Sequence, residues 1–318
     1  MIINEQDALD EIQKLGFVVA GASYRDEAEA ELGNHSSRFW KIPSENFKLE
    51  GTPFYKNTEN DYVHFTSVEN LFSILDSKCL RMYNLENMED KFEMDHIRKK
   101  LKYPEFIEFD KKELYCLSMC CTSVLNSQMK EHLLWKLHGR NDKGVIIRFS
   151  FHNSLQRWYN FHLTKVFYNY KIAKPILRLN ELTQREFLDP KIGCFFKLPI
   201  YKFENETRLI FENRKNFKVT ASDKDGNLLY PLVYADETKK PENIFYIKLP
   251  LLNFNKNAED LYKAPNLQHV SFEIPKIQID EIIAGYAIDR KVMKDLTEKC
   301  TFSDPSIKIR TTTLKKYY

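Results

Sequence analysis

The segment Glu204-Asn205-Glu206-Thr207-Arg208 carries charged residues at three alternate positions, which an extended backbone would place on one face. Two carboxylates so close repel each other, and Arg208 supplies a cation that would neutralise Glu204 and make the pair tolerable. The plain reading of such a trio is a same-face ion-pair network on an exposed strand. A second chemically capable stretch is Tyr62-Val63-His64-Phe65-Thr66-Ser67. Alternation there sets Val63 and Phe65 on one side of a strand and His64 and Thr66 on the other. A lone strand histidine is ordinarily a structural hydrogen bonder, and its place here is the end of a strand just before a helix.

Other chemistries find less support in the spacing. Cys116, Cys120 and Cys121 fall in an apolar, strand-like run, where the six cysteines of the chain read as reduced core thiols. Zinc would need a CxxC-like pair and a second ligand pair, whereas adjacent Cys120 and Cys121 point to opposite faces of a strand. His132 and His138 stand six apart on a helix, away from the shared face that metal ligands three or four apart would have. No metal site is expected. There is no GxSxG elbow, no Walker loop and no GxGxxG turn. The aromatic stock with Lys197, Lys202, Arg208, Arg214 and Lys215 offers an alternative, a nucleobase pocket with cations for a phosphate backbone.

Composition bounds these options. The 318 residues suit either two average domains or one enlarged α/β unit. With 48 basic and 45 acidic residues the net charge is +3, so the chain is neither a strongly basic nucleic-acid wrapper nor an acidic disordered tail. Hydrophobic residues make up 43% and aromatics 14%, enough for a sizeable core with aromatic ligand walls. The opening MIINEQDALDEIQ has acids where a secretory signal needs a basic start, and no run approaches the roughly 18 apolar residues of a membrane helix. A cytoplasmic protein without a membrane partner is expected.

The elements that must position these residues follow from pattern. Ala8, Leu9, Ile12 and Leu15 predict a helix, and an acidic helix covers about 26–32, together forming a helical N-terminal extension over 1–55. The main body, 56–318, opens with the His64 strand and a helix with a Thr66–Glu69 capping box, ending near Lys78. A polar helix is expected through His96, Ile97 and Leu101. Leu114 to Thr122 reads as a strand, and a helix capped by Ser127 runs through Trp135 to a stop at Gly139. A turn at Asp142-Lys143-Gly144 leads into the strand Val145–Phe149. Further strands are expected at Leu163–Tyr170, Ile244–Pro250, Ile277–Ala284 and Ile307–Arg310. Helices are expected at about 181–187 and 289–299, and a hairpin tip at 223–227. Short strands broken by helices and irregular segments predict an α+β fold with mixed short-strand sheets and inserted helices, not a doubly wound sheet.

The order of several pieces resembles a bacterial family known as domain of unknown function 2971. The pieces are HFTSVENLFSILDSKCLRM from His64, LYCLSM from Leu114, LLWKLHGRNDKGVIIRF from Leu133, KVFY from Lys165, KLPIYKFENETRLI from Lys197 and IDEIIAGYAI from Ile279. Where the family usually has Asn-Asp-Pro followed by an aromatic-Glu pair, this chain has Glu89-Asp90-Lys91-Phe92-Glu93, and Thr207 stands in place of an aromatic. That family is distantly similar to ADP-ribosyltransferases. The resemblance implies an ADP-ribosyltransferase-like core in which His64 holds an NAD ribose with help from Thr66, and Glu206 is the catalytic carboxylate supported by Glu204 and Arg208. Tyr83 or Trp135 would then be the aromatic that stacks on nicotinamide. The NAD pyrophosphate would be held by Arg81 or by the N-terminus of the helix after His64. The acceptor would be a protein or nucleic acid, the setting that of a toxin or phage-defence effector, and a further partner an antitoxin or regulatory protein. The alternative is a non-catalytic binding module for nucleic acid or protein on the same fold.

Overall fold

The computed structural model describes residues 60–87, 99, 113–152, 161–169, 193–213, 244–254 and 275–314, together with the backbone of the strand pairs 18–19, 40–41 and 234–235. The expected helices at 8–15, 26–32 and 181–187, most of the one through His96, and the 223–227 hairpin tip lie outside the described residues. Strands β1 (Val18–Val19) and β2 (Trp40–Lys41) pair antiparallel with each other.

The fold is α+β, built on a ten-stranded, mostly antiparallel open sheet. Its strands in chain order are β3 (Tyr62–Thr66), β4 (Cys79–Asn84), β5 (Leu114–Cys121), β6 (Val145–Phe151), β7 (Phe161–Lys165), β8 (Glu206–Glu212), β9 (Tyr234–Ala235), β10 (Phe245–Pro250), β11 (Ile277–Ala284) and β12 (Lys308–Thr311). Only β11 and β12 run parallel among the described pairs. Three helices of the described residues pack on the sheet: α1 (Val68–Ser77), α2 (Gln128–His138) and α3 (Arg290–Ser303).

Period-two alternation sorts the side chains into two cores. Leu80, Met82, Leu117, Met119, Leu209, Phe211, Ile247 and Leu249 face one side, where Leu71 and Ile74 of α1 and Leu296 and Cys300 of α3 close over them. On the other side Val63, Phe65, Cys120 and Ile146 are covered by Leu134 and Trp135 of α2. Burying these aliphatic and aromatic side chains supplies the main drive for folding.

Strand β5 is the hinge of the topology. Along one edge it pairs with β8 from Leu114↔Glu212 to Cys120↔Glu206. Its other edge is shared. Cys120 and Cys121 pair with Val63 and Tyr62 of β3, while Tyr115 and Cys116 pair with Asn84 and Tyr83 of β4. Between these two footholds β3 and β4 part, and the β5 edge at Leu117–Met119 borders the gap.

Two expectations shift by local chemistry. The cap of α1 is Ser67, whose Oγ accepts the Asn70 amide at 3.1 Å, and Thr66 Oγ1 instead accepts from Asn70 Nδ2 at 3.2 Å. Strand β7 begins at Phe161 and ends at Lys165, before the expected Tyr170. Its neighbour β8 begins there, after the left-handed Asn205, and Phe167 instead forms an isolated bridge to Phe196.

The turn after α2 is fixed tightly. Arg140, Asn141 and Asp142 all adopt left-handed φ angles, of 52°, 54° and 68°. Gly144 and Gly285 sit so close to the Thr66 and Asp142 carbonyls that a Cβ on either would overlap backbone. This close approach locks the C-terminal end of α2, with His138, against β3 and β11.

Candidate functional site

The β8 carboxylate is built in from below by register. Cys120 of β5 stands opposite both Val63 of β3 and Glu206 of β8, and Ser118 stands opposite Arg208. Opposed residues share a face, so Ser118, Cys120, Glu206 and Arg208 project together. Cys116 continues that row to Tyr83, whose neighbour two along, Arg81, points the same way. Glu206, Ser118, Tyr83 and Arg81 therefore occupy one face of one sheet.

Glu206 is 5% exposed and Arg208 fully buried, so this is an interior ion pair, not the exposed-strand network that the sequence pattern suggested. Arg208 Nε donates to Glu206 Oε1 at 2.7 Å and Nη2 to Oε2 at 3.2 Å, while Nη1 is held by the Cys194 carbonyl at 2.6 Å. Ser118 Oγ donates to Oε1 of Glu206, and Lys197 Nζ reaches Oε2 at 3.2 Å. Burial, the largest influence, would raise the carboxyl. The charges of Arg208 and Lys197 and the hydrogen bonds from Arg208 and Ser118 outweigh it and hold Glu206 down at about 2. The group is ionised throughout the physiological range.

Glu204 does not lie on the strand. It ends a 3-10 turn, Pro199–Glu204, and Asn205 adopts a left-handed conformation at φ 45° before β8 begins, which breaks the alternation expected of the trio. Asn is among the few residues that take this conformation readily. The two carboxylates still meet, through a residue distant from the strand pattern. Lys197 Nζ bonds Glu204 Oε2 at 2.7 Å as well as Glu206, so Lys197 neutralises Glu204, and Arg208 serves Glu206. Burial works to lower the Lys197 ammonium, but the two carboxylates carry it above its ordinary value. His138, at the end of α2, contacts the other Glu204 oxygen at 3.4 Å.

His64 enters from the gap between β3 and β4. Register places it opposite Ile147, on the face away from Glu206, yet its ring turns to the bare β5 edge and bonds the Ser118 carbonyl through Nδ1 at 3.0 Å. The imidazole and the carboxylate thus meet at one residue, His64 at the Ser118 carbonyl and Glu206 at its hydroxyl. A carbonyl can only accept, so Nδ1 carries the proton and Nε2 of the neutral ring is an acceptor. Nε2 has no hydrogen-bond partner among the described residues. Burial, the largest influence, lowers the imidazole below its ordinary value and favours the neutral ring; the Ser118 carbonyl works the other way, and the charge on nearby His138 adds to the lowering.

The remaining candidates divide. Arg81 lies over the Tyr246 ring at 4.5 Å, and Tyr83 packs beside the same ring with centroids 5.8 Å apart. Thr66 is buried against Asn70. Trp135 is fully enclosed, edge-on to Phe65, with Nε1 donating to Glu131 at 3.2 Å; it is a core residue with no face open to a ligand. The N-terminus of α1 is already filled, because the Glu69 carboxyl is lowered by bonds to its own amide and to Ser67. An anion there would compete with a resident carboxylate.

Sequence reading missed Ser118, Tyr168 and the bridging role of Lys197. Tyr168 hydroxyl accepts the Glu206 amide at 3.2 Å, and burial raises its own ionisation beyond reach. The available signal was Ser118 as the polar interruption of the apolar run LYCLSMCC. Cys120 sits beside the carboxylates, and burial, then Glu206 and Glu204, pushes its thiol well up and makes it a poor nucleophile. All six cysteines are free thiols. Among the described residues no group of His, Cys, Asp and Glu could hold a metal ion, and no helix is long and apolar enough to cross a membrane.

No family model, curated protein or solved structure matches the chain.

Proposed function

We propose that the chain is an NAD-dependent ADP-ribosyltransferase on an ADP-ribosyltransferase-like core, transferring to a macromolecular acceptor in the setting of a toxin or defence effector held by an antitoxin or regulator. The observation that carries this reading is the convergence of the His64 imidazole and the Glu206 carboxylate on Ser118, at a gap where two strands part on β5. NAD is the substrate, and breaking its nicotinamide–ribose bond develops positive charge on the sugar. An ionised carboxylate across β5 from the gap, bonded to the Ser118 hydroxyl, would stabilise that charge more than the uncleaved bond, which is the condition for raising the rate.

Each side chain has a task that suits its surroundings. His64 offers the Nε2 lone pair to a ribose hydroxyl, with its ring fixed by the Ser118 carbonyl. Glu206 is saturated by four donors, and the Ser118 hydroxyl is the uncharged one, hence the one a ribose hydroxyl replaces at least cost. Arg208 and Lys197 keep the carboxylate ionised and aimed. Tyr83 supplies the stacking ring in place of the enclosed Trp135, and Arg81 the cation for the pyrophosphate in place of the occupied α1 terminus. Thr66 keeps its hydroxyl proton for donation while it accepts from Asn70.

A second reading has its own support. Four donors on one buried carboxylate also describe a clasp that ties β8 to β5 without chemistry, leaving a binding module for protein or nucleic acid. The two separate on incubation of the purified protein with radiolabelled NAD and a cell lysate. Label transfer or nicotinamide release that falls at least ~100-fold in Glu206→Gln supports the transferase. Calorimetry without NAD binding, alongside salt-sensitive RNA or DNA binding, replaces it with the binding module.

A further inference from the structure

Helix α2 buries one side and leaves the other strongly apolar. Glu131, Leu134 and Trp135 point inward. Met129, Leu133 and Leu137, spaced by four, form a stripe about 12 Å long on the outer side, with Met129 71% and Leu137 57% exposed. Ile200, 75% exposed, stands on the 3-10 turn that ends at Glu204, and α2 and that turn are joined by the His138–Glu204 contact. Three exposed apolar side chains in one row, with Ile200 exposed on the adjoining turn, are more than scattered surface hydrophobics.

Most of the exposed charges around the stripe are cations. On the helical wheel Lys130 and Lys136 flank it on either side, Lys136 bonded to the buried Asp142 at 2.6 Å, while Arg140 and Lys143 are exposed just beyond its C-terminal end and Lys202 on the neighbouring 3-10 turn. The single acid of α2, Glu131, is buried and bonded to Trp135 and Thr312, and Glu204 is buried beside Lys197. A row of knobs spaced by four fits the groove of another helix, and cationic flanks select acidic residues beside that groove. We propose that this face docks an acidic amphipathic helix of a partner protein, with the partner's chain led towards the Glu204 end of the site.

Other occupants fit less well. A second copy meeting face to face by two-fold symmetry would set lysine flanks against lysine flanks. Nucleic acid would find aliphatic side chains where stacking rings are needed. The inference needs no chemistry at Glu206, and its test reads binding alone.

The probe is a fluorescent 18-residue helical peptide with leucines spaced by four and glutamates flanking them, measured by anisotropy against the full chain. Its counterpart with lysines for glutamates, phosphatidylserine vesicles, a 20-base-pair RNA duplex and the sedimentation of the protein alone are measured in parallel. The acidic peptide should bind, more weakly at high salt, and the Met129→Ser/Leu137→Ser double variant should lose at least ~10-fold in affinity, with Ile200→Ser in the same direction. Both substitutions fall on exposed positions, so the fold is retained. Equal binding of the two peptides, or no loss in the double variant, overturns the proposal. So does a variant-sensitive response of vesicles, duplex or self-association in place of the acidic peptide.

Discussion

Replacing Arg208 by Met keeps the length of the side chain and removes its charge. Arg208 is fully buried and gives three hydrogen bonds, two to Glu206 and one to the Cys194 carbonyl. Removing one partner of a buried ion pair costs about 3–5 kcal/mol, because the other charge stays in the interior without compensation. Lys197 and Ser118 still hold Glu206, which places the expected loss near about 3 kcal/mol, read as a fall in the urea midpoint at pH 7. Acid adds a second readout. In the native chain Glu206 is depressed to about 2 from an unfolded value of 4.5, so its contribution is complete above pH 4.5 and disappears as the pH falls towards about 2. Without Arg208, burial prevails over the remaining cation, the folded carboxyl rises, and this acid-sensitive window moves upward or closes. Changing Glu206 to Met as well should restore part of the loss, since no charge is then stranded. A midpoint in Arg208→Met that matches wild type, or a double variant worse than the sum of both singles, would refute this account of the clasp.

Other changes test other parts of the fold. Gly285→Ala places a Cβ on the Asp142 carbonyl, where backbone cannot yield, and should cost several kcal/mol or prevent soluble expression; an unchanged melting temperature would contradict the close approach. Trp135→Ala should lose about 3–5 kcal/mol of stability by cavity formation while NAD affinity per folded molecule stays the same, measured by calorimetry on the folded fraction. Tyr83→Leu should weaken NAD binding by about tenfold, measured by calorimetry on the folded fraction, and lower stability by no more than about 0.5–1.5 kcal/mol through loss of the Tyr246 ring contact. Ser118→Ala should cost about 1.5–3 kcal/mol in stability by removing a hydrogen bond to a charged group, seen by urea titration.

Local pattern carried much of the architecture. Val145–Phe151 and Ile277–Ala284 announce themselves by β-branched content, and Gly139 closes α2 where a helix stop was expected. The one-residue shift of the α1 cap from Thr66 to Ser67 reflects two adjacent hydroxyls of similar capping ability. What pattern could not carry is pairing. Nothing local to LYCLSMCC tells that β5 serves β8 on one edge and both β3 and β4 on the other, yet that arrangement creates the gap into which His64 turns. Alternation assigns His64 correctly to the face opposite Val63 and Phe65, but it does not tell that the ring turns from there to the Ser118 carbonyl on the bare β5 edge. Glu204 left the strand for a related reason, the left-handed Asn205, which only an Asn between two charged residues hints at. The pairing of Lys197 with both carboxylates is a tertiary contact with no periodic signature.

The central claim is that the imidazole of β3 and the carboxylate of β8 serve one bound dinucleotide. Nitrogen NMR of histidine-labelled protein reads it directly, through the ring nitrogens of His64 before and after saturating NAD. A neutral ring protonated on Nδ1, with an Nε2 resonance that moves on adding NAD to wild type and on adding it to Glu206→Gln, is the predicted result. An Nε2 resonance that stays in place at every NAD concentration, while NAD is shown to bind elsewhere or not at all, would contradict it.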